Sequence, residues 1–91
     1  MSLYVASVHT PGFLAIARPR MFRTACEAWA YLADQRRKAQ EAISDYVAYS
    51  GDTLRHLEHL ARDGGEGAVF SITPGRRPET DLGLVYEVQS I

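Results

Sequence analysis

The chain has 91 residues, a 46% apolar composition and a formal net charge of −1. That length suits one domain and one core, and the mixture is too apolar for a disordered chain. No apolar run approaches the roughly 20 residues of a membrane span, Met1-Ser2-Leu3-Tyr4-Val5 lacks the pattern of a signal peptide, and Cys26 is alone, so an internal disulfide is excluded. A reducing, cytoplasmic setting is the expectation. Charge is unevenly spread. Residues 1–40 carry six Arg and Lys against Glu27 and Asp34, and residues 41–91 carry four Arg against nine acidic side chains. Such asymmetry suits either an acidic partner for one face or two halves folded on each other.

Leu3 to His9, rich in Val with almost no charge, reads as a strand. Thr10-Pro11-Gly12 reads as a turn and Phe13 to Ala17 as a second strand, ended by Arg18-Pro19-Arg20 because Pro19 cannot donate to a ladder. Thr24-Ala25-Cys26-Glu27 fits a capping box. Ala25, Ala28, Trp29, Leu32, Ala39 and Ile43 then recur at helical spacing, which predicts a helix of about 20 residues with Trp29 and Leu32 on the buried stripe. Arg36 interrupts that stripe, and its guanidinium is expected in water, with the stem along the core edge.

Gly51 is expected to break the helix, with Ser50 or Asp52 capping a second one over Thr53 to Arg62. Leu54, Leu57, Leu60 and Ala61 form its apolar stripe. Gly64 is expected to stop it in the left-handed conformation. Ala68 to Thr73 reads as a third strand, Pro74 to Asp81 as a polar loop, and Leu82 to Ile91 as a fourth strand with Leu82, Leu84, Tyr86 and Val88 alternating inward. The predicted fold is one α+β domain over 1–91, in the order β-β-α-α-β-β. Its sheet is four-stranded and mostly antiparallel, with two helices on one face.

Four motifs carry a family resemblance: Phe22-x-Thr24-x-x-Glu27-Ala28-Trp29-x-Tyr31-Leu32, Tyr49-Ser50-x-Asp52-Thr53-Leu54, Thr73-Pro74-Gly75, and Asp81-Leu82-Gly83-Leu84-Val85-Tyr86. In this order they resemble a family of small uncharacterised proteins of actinobacteriophages and their hosts, over about residues 21–91. The resemblance implies a phage-derived accessory protein made in the bacterial cytoplasm. It brings no catalytic or binding residues with it. Arg76-Arg77-Pro78 departs from the more acidic or Gly-rich loop of the family pattern, so a partner of that loop could differ.

No catalytic constellation is visible, and no enzyme activity or cofactor is expected. His56 and His59 stand three residues apart on the second helix, but two imidazoles fall short of the four ligands of a structural zinc site, so no metal is expected. Cys26 in a first helical turn could favour a thiolate, yet no base lies near it in sequence, and small apolar filler is the better reading. Arg18, Arg20, Arg23, Arg36, Arg37 and Lys38 could form a basic patch for nucleic acid; the pI of about 6.3 argues for ordinary solubilising charge. Tyr31, Tyr46 and Tyr49 with Arg36 and Arg37 flank the helix–helix junction, and Tyr and Arg are enriched at protein interfaces. These five are the candidate partner-binding residues. The sequence reading is therefore an interaction module that binds and modulates a host protein or forms a homo-oligomer, with a nucleic-acid-binding regulator as the alternative.

Overall fold

A computed structural model describes residues 3–9, 19–42, 51–71 and 84–91. The elements are β1 (Tyr4–His9), β2 (Arg20–Phe22), α1 (Ala25–Ala42), α2 (Gly51–Asp63), β3 (Gly67–Ser71) and β4 (Leu84–Ser90). The strands form one antiparallel sheet in the order β2-β1-β4-β3. The class and element order are those the sequence predicts. The first and last strands pair along their lengths, from Tyr4 opposite Ser90 to His9 opposite Val85, and make the centre of the sheet. Helix α1 packs on β2, β1 and β4, and α2 lies beside it against β3.

Alternation along the strands separates two faces. Tyr4, Ala6, Val8, Phe22, Val69, Leu84, Tyr86 and Val88 point to the helices and join the core. From α1 they meet Ala25, Ala28, Trp29, Leu32 and Ala33, and from α2 Leu57. Trp29 and Leu32 are buried, as the helical spacing predicts. Each fully buried large apolar side chain of this kind contributes about 1.5–3 kcal/mol. Ile43, the last residue of the predicted stripe, lies outside the described residues.

Helix α1 starts where the capping motif places it. The Thr24 hydroxyl accepts a hydrogen bond from the Glu27 amide at 3.1 Å, and the Thr24 carbonyl accepts from Ala28 at 3.2 Å. The first bond occupies an amide that the first helical turn leaves without a partner inside the helix, and the second is the first bond of the helix itself. Thr24→Ala is expected to lower stability by about 1 kcal/mol, read as a shift of the urea midpoint; an unchanged midpoint would show that the hydroxyl adds nothing to the helix start.

Several expectations are corrected. The described partner of β1 beyond β4 is Arg20–Phe22, which begins immediately after Pro19. Pro19 therefore directly precedes a strand, and at the edge of a sheet its missing N–H costs no ladder bond. Thr10 to Arg18, including the predicted Phe13–Ala17 strand, lie outside the described residues. Gly51 and Asp52 belong to α2 instead of preceding it. Gly64 does not take the left-handed conformation. Its amide still bonds the Leu60 carbonyl at 2.6 Å, so the helical pattern runs one residue past α2. A glycine is needed there for another reason, the close approach of the Leu60 carbonyl and of Trp29.

Arg36 is the largest departure. Its side chain is 1% exposed, inside the helix–sheet interface. It occupies the next place on the stripe after Trp29, Leu32 and Ala33, which aims it at the sheet. Its Nη1 donates to the Tyr86 hydroxyl at 3.2 Å, and its guanidinium carbon stands 5.9 Å from the centre of the Tyr86 ring. A phenol oxygen and an aromatic face offset part of the cost of taking the charge out of water.

Candidate functional site

The sequence-derived residues do not converge. Tyr31 is half-buried on the β2 side of α1, its ring 5.4 Å from that of Phe22 with a 38° tilt and with the Arg20 guanidinium 5.4 Å from its centre. Arg37 lies six residues further along, about 120° around the helix. It faces α2, 3.5 Å from Asp34 and 3.8 Å from Glu58. Arg36 is buried and is no surface anchor in this fold. Tyr46 and Tyr49 lie outside the described residues. Tyr31 and Arg37 therefore belong to different flanks rather than to one junction.

The basic residues of the N-terminal half are dispersed for the same reason. Arg20 stacks on Tyr31, Arg36 points into the core, and Arg37 and Lys38 both reach Asp34, Lys38 at 3.1 Å. Arg18 lies outside the described residues. Arg23 is exposed beyond the end of β2. Arg20, Arg36, Arg37 and Lys38 each have a local partner, whereas a nucleic-acid surface needs several charges directed at one phosphate track.

His56 and His59 stand on the exposed side of α2, and among the described residues no three His, Cys, Asp or Glu side chains converge as a metal site would require. Cys26 is half-buried, at the margin of the core rather than within it. Its thiol donates to the Arg62 carbonyl at 3.6 Å and joins the start of α1 to the end of α2. His9 lies on the sheet face away from the helices, so the fold does not bring it to Cys26.

A shallow groove at one end of the sheet is lined by residues 66–68 and 87–90. Within it the Glu66 carboxylate accepts a hydrogen bond from the Ser90 amide at 2.7 Å. Hydrogen bonds from the Ser90 side chain and backbone hold the Glu66 carboxyl below its ordinary pKa. The carboxylate thus takes the place of a backbone carbonyl where β3 falls short of the end of β4. This is a closure of the sheet, and the groove needs no ligand to explain it.

The other feature is the sheet face turned away from the helices. Its strand positions are Val5, Ser7, His9, Met21, Ala68, Phe70, Val85, Glu87 and Gln89. Ile91 donates its amide to the Leu3 carbonyl at 2.9 Å, which extends the β1–β4 ladder by a pair with the same facing. The exposed large apolar side chains among the described residues are Leu3, Met21 at 63%, Phe70 at 55% and Ile91 at 74%, and all four fall on this face. Leu3, Val5, Met21 and Ile91 gather at one corner, Val85 and Phe70 at the opposite one, with Ser7 and Glu87 between them. Single exposed apolar residues are ordinary, but several large ones gathered on one face are characteristic of an interaction surface.

The signal for this face is present in the sequence. Val5, Met21, Phe70, Val85 and Ile91 are apolar at the strand positions that alternate with the core-facing ones. A strand solvated on one side normally places polar residues there. No protein-family model matches the chain, and no curated protein or solved structure matches it either.

Proposed function

We propose that this chain acts by stoichiometric contact with another protein, through the sheet face that the helices leave open. The observation that supports this most is the collection of Leu3, Met21, Phe70 and Ile91 on that one face. Removing such side chains from water yields about 25 cal/mol per Å², and long flexible Met and aromatic Phe are residue types enriched at interfaces. Glu87, in the middle of the face, gives the partner a polar group to satisfy and so a basis for selection. In this reading the partner is a host protein whose activity the contact modulates, as the resemblance of the sequence motifs to small actinobacteriophage proteins implies. This reading moves the contact away from Tyr31 and Arg37.

The test is a titration of the purified partner, once captured, against wild type, Met21→Glu and Phe70→Glu. Loss of tenfold or more in affinity from either substitution, with unfolding midpoints unchanged, is expected, since one lost anchor is worth about 1.4 kcal/mol or more. Full binding by both variants would end the open-face reading. Binding to duplex DNA that weakens steeply with salt would replace it with the nucleic-acid one.

A further inference from the structure

The two edges of the sheet differ in a way that points to what joins one of them. β2 is a three-residue edge beginning after Pro19 and carrying Arg20, with Arg23 just beyond. Short length, a proline and positive charge are the devices that keep edge strands from pairing with other chains. β3, at the other edge, is Gly67-Ala68-Val69-Phe70-Ser71, with neither a charge nor a proline. Among the described residues no strand pairs with its outer side.

The direction of its free backbone groups follows from the ladder. Ile91 donates to Leu3 beside β1, so the odd-numbered residues of β4 bond towards β1 and the even-numbered ones towards β3. The Ser90 amide agrees, since it turns to Glu66. Gly67, Val69 and Ser71 pair with the even residues Val88, Tyr86 and Leu84 and therefore bond inward. Ala68 and Phe70 are left with N–H and C=O directed outward, placed symmetrically about Val69.

We propose that the outer edge of β3 is a docking site for the β3 of a second copy of this chain, antiparallel about a two-fold axis at Val69. In that register Ala68 of one copy forms a hydrogen-bonded pair with Phe70 of the other, and the reverse pair forms across the axis. On the open face each Phe70 ring lies beside the small side chain of Ala68, and on the helix face Val69 meets Val69. No like charges oppose each other along the strand. The helix layer accommodates the join. Two helices over four strands, spaced about 4.8 Å, leave about 10 Å for each helix, which matches the distance between packed helices when the pattern repeats across the axis.

The area of the open face gives the pairing a purpose. Four strands of three to seven residues outline roughly 330 Å², less than half of the roughly 800 Å² that each side of a stable complex contributes. Two copies joined at β3 present one continuous eight-stranded face of twice that size. This consequence rests on the proposed function; the pairing itself does not.

Sedimentation velocity over a concentration series, with amide exchange of Ala68 and Phe70 by NMR, tests the proposal. Wild type should move from the 10.1 kDa monomer to twice that mass as concentration rises, and the two amides should become protected in step. Ala68→Pro removes an outward N–H without touching the β4 ladder and should hold the chain at monomer mass. Ala68→Lys, which keeps the N–H but adds charge, serves if the proline variant fails to fold, and Met21→Lys at the opposite edge of the sheet should leave the dimer intact. A wild-type chain that stays monomeric up to millimolar concentration, or an Ala68 variant that is folded and still dimeric, would overturn the pairing. Either result leaves the binding titration at Met21 and Phe70 to be judged separately.

Discussion

Trp29→Ala is expected to cost about 3–5 kcal/mol and to leave little folded protein at 25 °C. The indole is 1% exposed and is the largest side chain in the core. Truncation loses its transfer free energy and leaves a cavity that the helix and sheet cannot fully close. It also removes the indole N–H bond to the Gly65 carbonyl, 2.7 Å long, which joins α1 to the segment between α2 and β3. That carbonyl would be left to water, adding about 0.5–1.5 kcal/mol. A domain of this size has about 5–15 kcal/mol in total, so one substitution removes much of it. Urea unfolding followed by far-UV circular dichroism measures the loss, because the substitution removes the chain's one Trp. Trp29→Phe, which keeps most of the packing but not the hydrogen bond, should fall between the two. An alanine variant as stable as wild type would mean that α1 does not dock through Trp29.

The parts of the fold legible in the sequence are those with strong local chemistry. Thr24 and Glu27 mark the start of α1, and Trp29 and Leu32 mark its buried side, because helix caps and helical periodicity are set within a few residues. Tyr86 and Val88 mark the inward side of β4 by alternation. Arg36 was misread because its neighbours in sequence say nothing about Tyr86, fifty residues away, whose hydroxyl and ring make the burial tolerable. The strand Arg20–Phe22 is not legible in the sequence for a similar reason. A proline that cannot sit in a central strand can precede an edge strand, and which strand is an edge is a property of the whole sheet. The candidate site followed the same logic. Tyr31 and Arg37 are near each other in sequence but are turned to different flanks, whereas Met21, Phe70 and Ile91 share one face only when β1 and β4 pair.

Gly64→Ala is expected to destabilise the protein by about 1–3 kcal/mol, although the same exchange at most helix ends without a left-handed glycine is neutral or favourable. Replacing glycine ordinarily stabilises by about 0.4–1 kcal/mol, because it narrows the unfolded ensemble. Here the added methyl has no space. It would meet the Leu60 carbonyl oxygen, Leu60 Cβ at 2.9 Å and Trp29 Cδ1 at 2.8 Å. The carbonyl is backbone, and the indole is held by its bond to Gly65, so neither can yield without disturbing the core. Gly65→Ala is the control, since a Cβ there meets nothing within 4 Å, and its effect should stay within about 0.5 kcal/mol. The two predictions are coupled. In a Trp29→Phe background the smaller ring gives up the space taken by the indole edge, so Gly64→Ala should cost less there than in wild type, and a double-mutant cycle isolates the difference. The clash with the Leu60 carbonyl persists in both backgrounds, so the cost should shrink without disappearing. A stabilised Gly64→Ala protein would show that the chain leaves α2 by another path and that Trp29 does not pack against its end.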